Sequence, residues 1–192
     1  MVFENLVHRS LAIAWLALVV VWLAAAPFAS RVVKRQSWAS RLLTMLAGFV
    51  AFGLLFIARW RRGPLALQVI PHSRPPVVIG MALTYAGVAL AIWARLILGR
   101  QWSASVTLKE GHQLVRRGPY GVVRHPIYSG VMLATLGTAL VVGDAAALLG
   151  TLLSYAMWYA KSRHEERFMV ERFGADYEAY RRDTWALVPF IR

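Results

Sequence analysis

The chain has 192 residues, 58% of them hydrophobic and 16% charged, and its 22 Lys and Arg against 9 Asp and Glu give a net charge of +13. This content excludes a soluble domain of ordinary composition. The basic residues fall between long apolar runs, so membrane topology and anionic lipid account for them before nucleic acid does. The lack of cysteine excludes disulfides, thiolate metal sites and a cysteine nucleophile.

A single membrane domain over residues 1–192 is expected. Residues 11–29 form an unbroken apolar run able to cross a bilayer. The weakly charged segment before it and the length of the run point to a retained span rather than a signal peptide. A basic loop, 30–41, leads to a second span, 42–58, closed by Arg59-Trp60-Arg61-Arg62, an aromatic and basic cluster suited to a membrane interface. Residues 65–76 contain Pro71, Pro75 and Pro76 and read as a loop. The third span is 77–98. Arg95 lies one turn from its end and is expected to snorkel to the surface and meet the last helical carbonyls.

After a polar connection, 99–125, come two shorter apolar runs, 127–142 and 145–160, parted by Gly143-Asp144. Each makes about 24 Å of helix against a hydrocarbon core of about 30 Å, which predicts a tight hairpin, tilted or reaching part-way. The last helix should continue to near Phe173, where Gly174 supplies a stop, before an amphipathic stretch over 175–182. The predicted fold is all-α and membrane-integral. It has five transmembrane helices, the last two a hairpin, with a cytosolic loop and a C-terminal helical extension. Sixteen Lys and Arg sit on 30–41, 99–126 and the tail from 161, against five on the opposite connections. That bias puts the N-terminus outside and the long loop and tail in the cytoplasm, with the cluster at 59–62 dissenting. The expected setting is a bacterial or archaeal inner membrane.

The stretch 116–130, R-R-G-P-Y-G-V-V-R-H-P-I-Y-S-G, is a basic loop running into an apolar helix. Pro126 suits the first helical turn, and the amides after His125 form an electropositive pole beside Arg124. The bland alternative is a basic loop held to anionic lipid heads. On the same face the tail carries His164-Glu165-Glu166. Neighbouring helical positions point about 100° apart, so the two glutamates are not expected to face one partner, and one of them is left to turn towards the loop. A basic loop opposite an acidic helix suits a zwitterion such as S-adenosylmethionine, with Arg124 and the helix pole for its carboxylate and Glu165 or Glu166 for its ammonium. Gly118 and Gly121 permit close approach, and Tyr120 or Tyr128 offers a ring for the adenine. No G-x-G-x-x-G, P-loop or nucleophile elbow is present. His112, His125 and His164 lack metal-ligand spacing, so no metal is expected.

Gly118-Pro119-Tyr120, Arg124-His125-Pro126-x-Tyr128-x-Gly130, Glu165-Glu166 and Phe173-Gly174-x-x-Tyr177-x-x-Tyr180, ending at Pro189, resemble the isoprenylcysteine carboxyl methyltransferase family. The wider superfamily includes phospholipid N-methyltransferases. Leu98-Gly99-Arg100-Gln101-Trp102-Ser103 is similar to the family's segment after the preceding span. The resemblance covers 77–192 as a methyltransferase-like core, while the two spans in 1–76 carry no motif. It implies a membrane enzyme that transfers the methyl of S-adenosyl-L-methionine to a lipophilic or prenylated acceptor, entering from lipid beside the short hairpin. Matched motif by motif, cofactor contacts fall to Gly118, Pro119, Tyr120, Arg124, His125, Pro126, Tyr128, His164 and Glu165, and positioning of the reacting groups to Arg124 and Glu166. Competing readings are a lipid N-methyltransferase, an NADPH-dependent lipid reductase and a non-catalytic membrane protein. The partners expected are the bilayer and the acceptor, not nucleic acid. Oligomeric state is left open.

Overall fold

The computed structural model describes residues 2–28, 32–35, 37–57, 62–99, 107–109 and 114–190. The interface cluster at 59–61, the segment 100–106 and His112 lie outside them. The helices are α1 (Val2–Ala25), α2 (Trp38–Phe56), α3 (Arg74–Leu98), α4 (Pro126–Val142), α5 (Ala145–Phe173) and α6 (Ala175–Asp183). Three of them, α1, α2 and α3, are long and apolar enough to cross a membrane, and α4 is a shorter apolar helix. The outer faces of the three long ones are apolar: Ile13, Leu43, Phe49 and Val78 are all exposed, as lipid-facing side chains would be.

The all-α expectation needs one amendment. β1 (Val32–Arg35) and β2 (Thr107–Lys109) pair antiparallel, joining the connection after α1 to the one after α3. At the opposite end, Gln68 bridges to Asp144, and the amides of Val69 and Ile70 both donate to Gly143 O at 2.9 Å. The connections therefore alternate between two ends of the bundle, as the span order requires.

The hairpin follows from local chemistry. Gly143 ends α4 at φ 76°, in the left-handed region that favours glycine, and the Asp144 carboxylate caps α5 by accepting from Ala147 N at 2.8 Å. Gly174 at φ 50° ends α5 after Phe173, as the sequence implied. Residues 74–76 are helical instead of loop. Pro75 and Pro76 occupy the first turn of α3, where a missing amide costs nothing.

The tightest contact is between α3 and α4, which run antiparallel with backbones touching. A Cβ added at Gly87 would meet Gly130 O at 2.4 Å, and one at Gly137 would meet Gly80 O at 2.4 Å. Such small-residue seams hold helices together in lipid, where apolar side chains gain little from leaving the solvent. A polar knot sits in the seam. Trp15 Nε1 of α1 donates to Thr138 Oγ1 (3.0 Å), which lies 3.3 Å from Thr84 Oγ1.

Arg95 does not snorkel. It is 2% exposed, and its guanidinium donates to Gly99 O and Ala25 O, both at 2.9 Å. The last carbonyls of α3 are met as expected, but so is the C-terminal end of α1. An inward turn serves two helix termini at once, which extension to the surface would leave apart.

Candidate active site

The loop before α4 is built on α3. Gly118, at φ 59°, lets the backbone lie so close to α3 that a Cβ there would meet Ile97 Cδ1 at 2.3 Å. Pro119 and Tyr120 are buried beneath the turn that follows, and Tyr180 of α6 donates its hydroxyl to Tyr120 O at 2.6 Å. Burial pushes the Tyr180 phenol up to about 12, so it remains a donor.

The C-terminal residues then cross the loop as a strap. Val123 bridges to Trp185 in parallel, Arg124 N donates to Trp185 O (2.8 Å) and His125 N to Ala186 O (3.1 Å). Ser129 Oγ donates to Leu187 O. The strap thus runs beside the residues that lead into α4, and its carbonyls take the amides of Arg124 and His125.

Arg124 and Glu166 meet. Arg124 Nε donates to Glu166 Oε1 at 2.7 Å, and Nη1 donates to Thr184 O (2.5 Å) and Arg181 O (3.2 Å). Both side chains are buried, at 3% and 5% exposed. Burial alone would raise the Glu166 carboxyl, but the adjoining His125 and Arg124 overcome it and hold the group down at about 2. With Nε and Nη1 both engaged, Arg124 is committed to fastening α5 to the strap.

Both glutamates reach one imidazole, contrary to the expectation from helical geometry. His125 Nδ1 lies 3.6 Å from Glu165 Oε2 and Nε2 lies 3.5 Å from Glu166 Oε1. The reason is that His125 sits across the face of α5 between the two positions, and its ring nitrogens point to opposite sides. Tyr128 Oη donates to Glu165 Oε2 at 2.7 Å, and its ring stacks on His125 at 5.4 Å and on Trp158 at 4.6 Å. His164 packs against Phe168, with ring centroids 5.4 Å apart.

These residues suit a zwitterionic donor in part. The Glu165 side chain is 26% exposed and can receive an ammonium, and His125 Nε2 is buried with Glu166 Oε1 3.5 Å away. Arg124 is engaged by Glu166 and by the backbone carbonyls of Arg181 and Thr184.

A cavity of about 740 Å³ opens beside the ladder. Trp15, Trp22, Phe52, Phe56 and Val131 form much of its wall, and Tyr128, Trp158 and Lys161 stand at one end. The sequence suggested an opening to lipid beside the short hairpin. Across from α4 and α5, α1 and α2, which carry no motif, provide the facing walls. The cavity and Trp158 were missed. The spacing of Trp15 and Trp22, two helical turns apart on one face, was the available signal.

A family model described as phospholipid methyltransferase matches residues 76–176. A protein-S-isoprenylcysteine O-methyltransferase of Schizosaccharomyces pombe is 34% identical, over 48% of this chain and 41% of its own length. The cobalt-zinc-cadmium resistance protein CzcN of Cupriavidus metallidurans is 32% identical, over 65% of this chain and 58% of its own length. The chain thus spans about a third to three fifths of the length of the curated relatives it matches. Its fold is similar to that of a eukaryotic intramembrane Ras methyltransferase, isoprenylcysteine carboxyl methyltransferase, with a TM-score of 0.58 at 24% identity, over 77% of this chain and 52% of that one.

Proposed function

This chain belongs to the phospholipid methyltransferase family, and from that premise we propose that it transfers a methyl group from S-adenosylmethionine to a lipophilic carboxylate at the membrane surface. The observation that carries the reading is the union of a cavity walled by aromatic and aliphatic side chains with a polar ladder at its end. An acceptor's apolar chain occupies the first, and its head lies against the second. The relatives named as isoprenylcysteine O-methyltransferases support an acceptor of the prenylcysteine type.

The donor supplies an activated methyl. Glu165 receives its ammonium, Tyr128 and Trp158 shape the space beside the transferred carbon, and Gly118, Pro119, Tyr120 and Pro126 set the loop that carries them. His164 belongs to the outer edge of this assignment. Arg124 and Glu166 act by holding the loop, α5 and the strap in one geometry, and alignment with exclusion of water is where the rate gain lies. A carboxylate oxygen is already nucleophilic, so no base is required. Five spans, with the N-terminus outside and the strap cytoplasmic, complete the reading.

A second reading is methylation of a lipid amine. It draws on the His125–Glu165 contact, which gives a base within reach of a proton. Labelled S-adenosylmethionine bound to purified protein, followed by transfer into membranes fractionated into lipid and protein, tests both. Folded protein that binds no donor would overturn the enzyme reading, and label in an amine headgroup would select the second.

A further inference from the structure

The cavity runs along α4 and stops short of that helix's far end. On α4 its wall is made by Ile127, Tyr128 and Val131 among the described residues. The next residue on the same face, Ala134, is fully buried, and Trp15 of α1 packs against the cluster that contains it. The Trp15 indole thus covers α4 where the open space gives out. It stands edge-on to Phe52 and Phe56 of α2, with ring centroids 5.7 and 5.3 Å away. Three aromatic rings from two helices therefore meet at the end remote from the Tyr128–Trp158 stack.

What fixes the indole there is a hydrogen bond. Trp15 Nε1 donates to Thr138 Oγ1 at 3.0 Å, and Thr138 is itself 2% exposed in the α3–α4 seam. An indole N–H can only donate, so swinging the ring aside would leave it unpaired among apolar groups. Aromatic bulk fills the end of the space, and the tether keeps it in place when a chain presses on it.

Tyr128 and Thr138 both lie on α4, about 15 Å apart along its axis. An acceptor whose head rests on the polar ladder meets the Trp15 ring after a fixed length of chain, near that of a stretched farnesyl group. We propose that Trp15 is a specificity-determining residue, which sets the longest isoprenyl chain that the cavity seats in full. This rests on the prenylcysteine reading above and adds a limit to it. A longer chain has to fold back or turn out into lipid, and its last unit gains no packing against the protein.

The test measures binding without the methyl donor, so its outcome stands apart from whether the chain transfers methyl groups at all. N-acetyl-S-geranylcysteine and its farnesyl and geranylgeranyl counterparts are titrated calorimetrically into wild type, Trp15→Leu and Thr138→Val. For each ligand the variant's affinity is divided by that of wild type in the same detergent, which cancels partitioning into micelles. Trp15→Leu opens the far end, and Thr138 keeps its bond to Ala134 O at 2.9 Å, so no buried hydroxyl is stranded. Its geranylgeranyl ratio should rise about tenfold, roughly what burying two methylenes supplies, while its geranyl ratio stays near unity. Thr138→Val keeps the ring but removes the tether, and should move the geranylgeranyl ratio the same way by a smaller factor. A packing role alone would weaken all three ligands alike. Ratios that move together for the three chains, or a geranylgeranyl ratio that stays at unity in both variants, overturn the proposal. Should Trp15→Leu lose its cooperative melt, Thr138→Val decides alone. Absence of donor binding in a parallel titration would instead overturn the methyltransferase reading and leave the chain-length limit standing.

Discussion

Arg124 Nε and Glu166 Oε1 lie 2.7 Å apart, joining the loop before α4 to the middle of the polar half of α5, with both side chains all but sealed from solvent. Removing one member of a buried pair leaves an uncompensated charge, at a cost of roughly 3–5 kcal/mol. Arg124→Ala and Glu166→Ala are each expected to lower the melting temperature as well as abolish transfer, while the double Arg124→Met, Glu166→Leu variant recovers much of the stability and none of the activity. Thermal unfolding followed by tryptophan emission, set beside methyl transfer, checks this. Single variants as stable as wild type would mean the pair is not fastening the strap.

The same pair fixes the acid limit. The Glu166 carboxyl is held at about 2, below its ordinary 4.5, so its contribution to stability is complete above about 4.5 and is lost as the pH falls through about 2. Within that window the strap should loosen. Hydrogen exchange at the amides of Arg124, His125 and Trp185, taken relative to the intrinsic amide rate at each pH, should rise on acidification in wild type. In Glu166→Gln it should be raised already at neutral pH and show little further change over the window. An identical acid response in both would assign the transition to another carboxylate.

The α3–α4 seam makes a separate prediction about packing. At Gly87 and Gly137 an added Cβ meets backbone atoms, which cannot step aside, whereas at Gly48 it meets the flexible end of Met157 at 3.3 Å. Gly87→Ala and Gly137→Ala should each destabilise the protein by about 1–3 kcal/mol, the usual cost of overpacking, and Gly48→Ala by much less. Equal effects at all three sites, in detergent melts at one protein concentration, would show that the seam is looser than described.

Much of this architecture is legible in the order of residues alone. Periodicity and apolar length mark the helices, and Gly143, Asp144 and Gly174 mark their ends, because turn chemistry is local. The meeting of the R-H-P loop with α5 follows from charge bias, which sorts connections between two faces. What stays hidden depends on approach between distant segments. Arg95 turns inward because α1 happens to end beside it. The two glutamates share His125 because the loop crosses α5 between them. The strap is bound mainly through backbone amides and carbonyls, which leave little signature in residue type. The β1–β2 pair is equally silent, being two short basic stretches with no alternation to read.

The cavity offers the last prediction, and it separates the two binding events. Ala12 of α1 lies on the cavity wall and is itself exposed, so a larger side chain there grows into the open space and not into the core. Ala12→Trp should therefore fold normally. The indole would occupy volume that the acceptor's chain needs, while Glu165 and His125 on the far side of the Tyr128–Trp158 stack are untouched. The expected outcome is donor affinity within about twofold of wild type together with a KM for a farnesylated acceptor raised by about tenfold or more, comparable to losing a few buried methylenes. Shorter-chain acceptors should be affected less, since their tails stop before the new side chain. The measurement is a chain-length series in both proteins, with donor binding titrated alongside. A uniform loss across the series would place the obstruction at the reacting groups, and an unchanged series would show that the acceptor's chain lies elsewhere on the bundle.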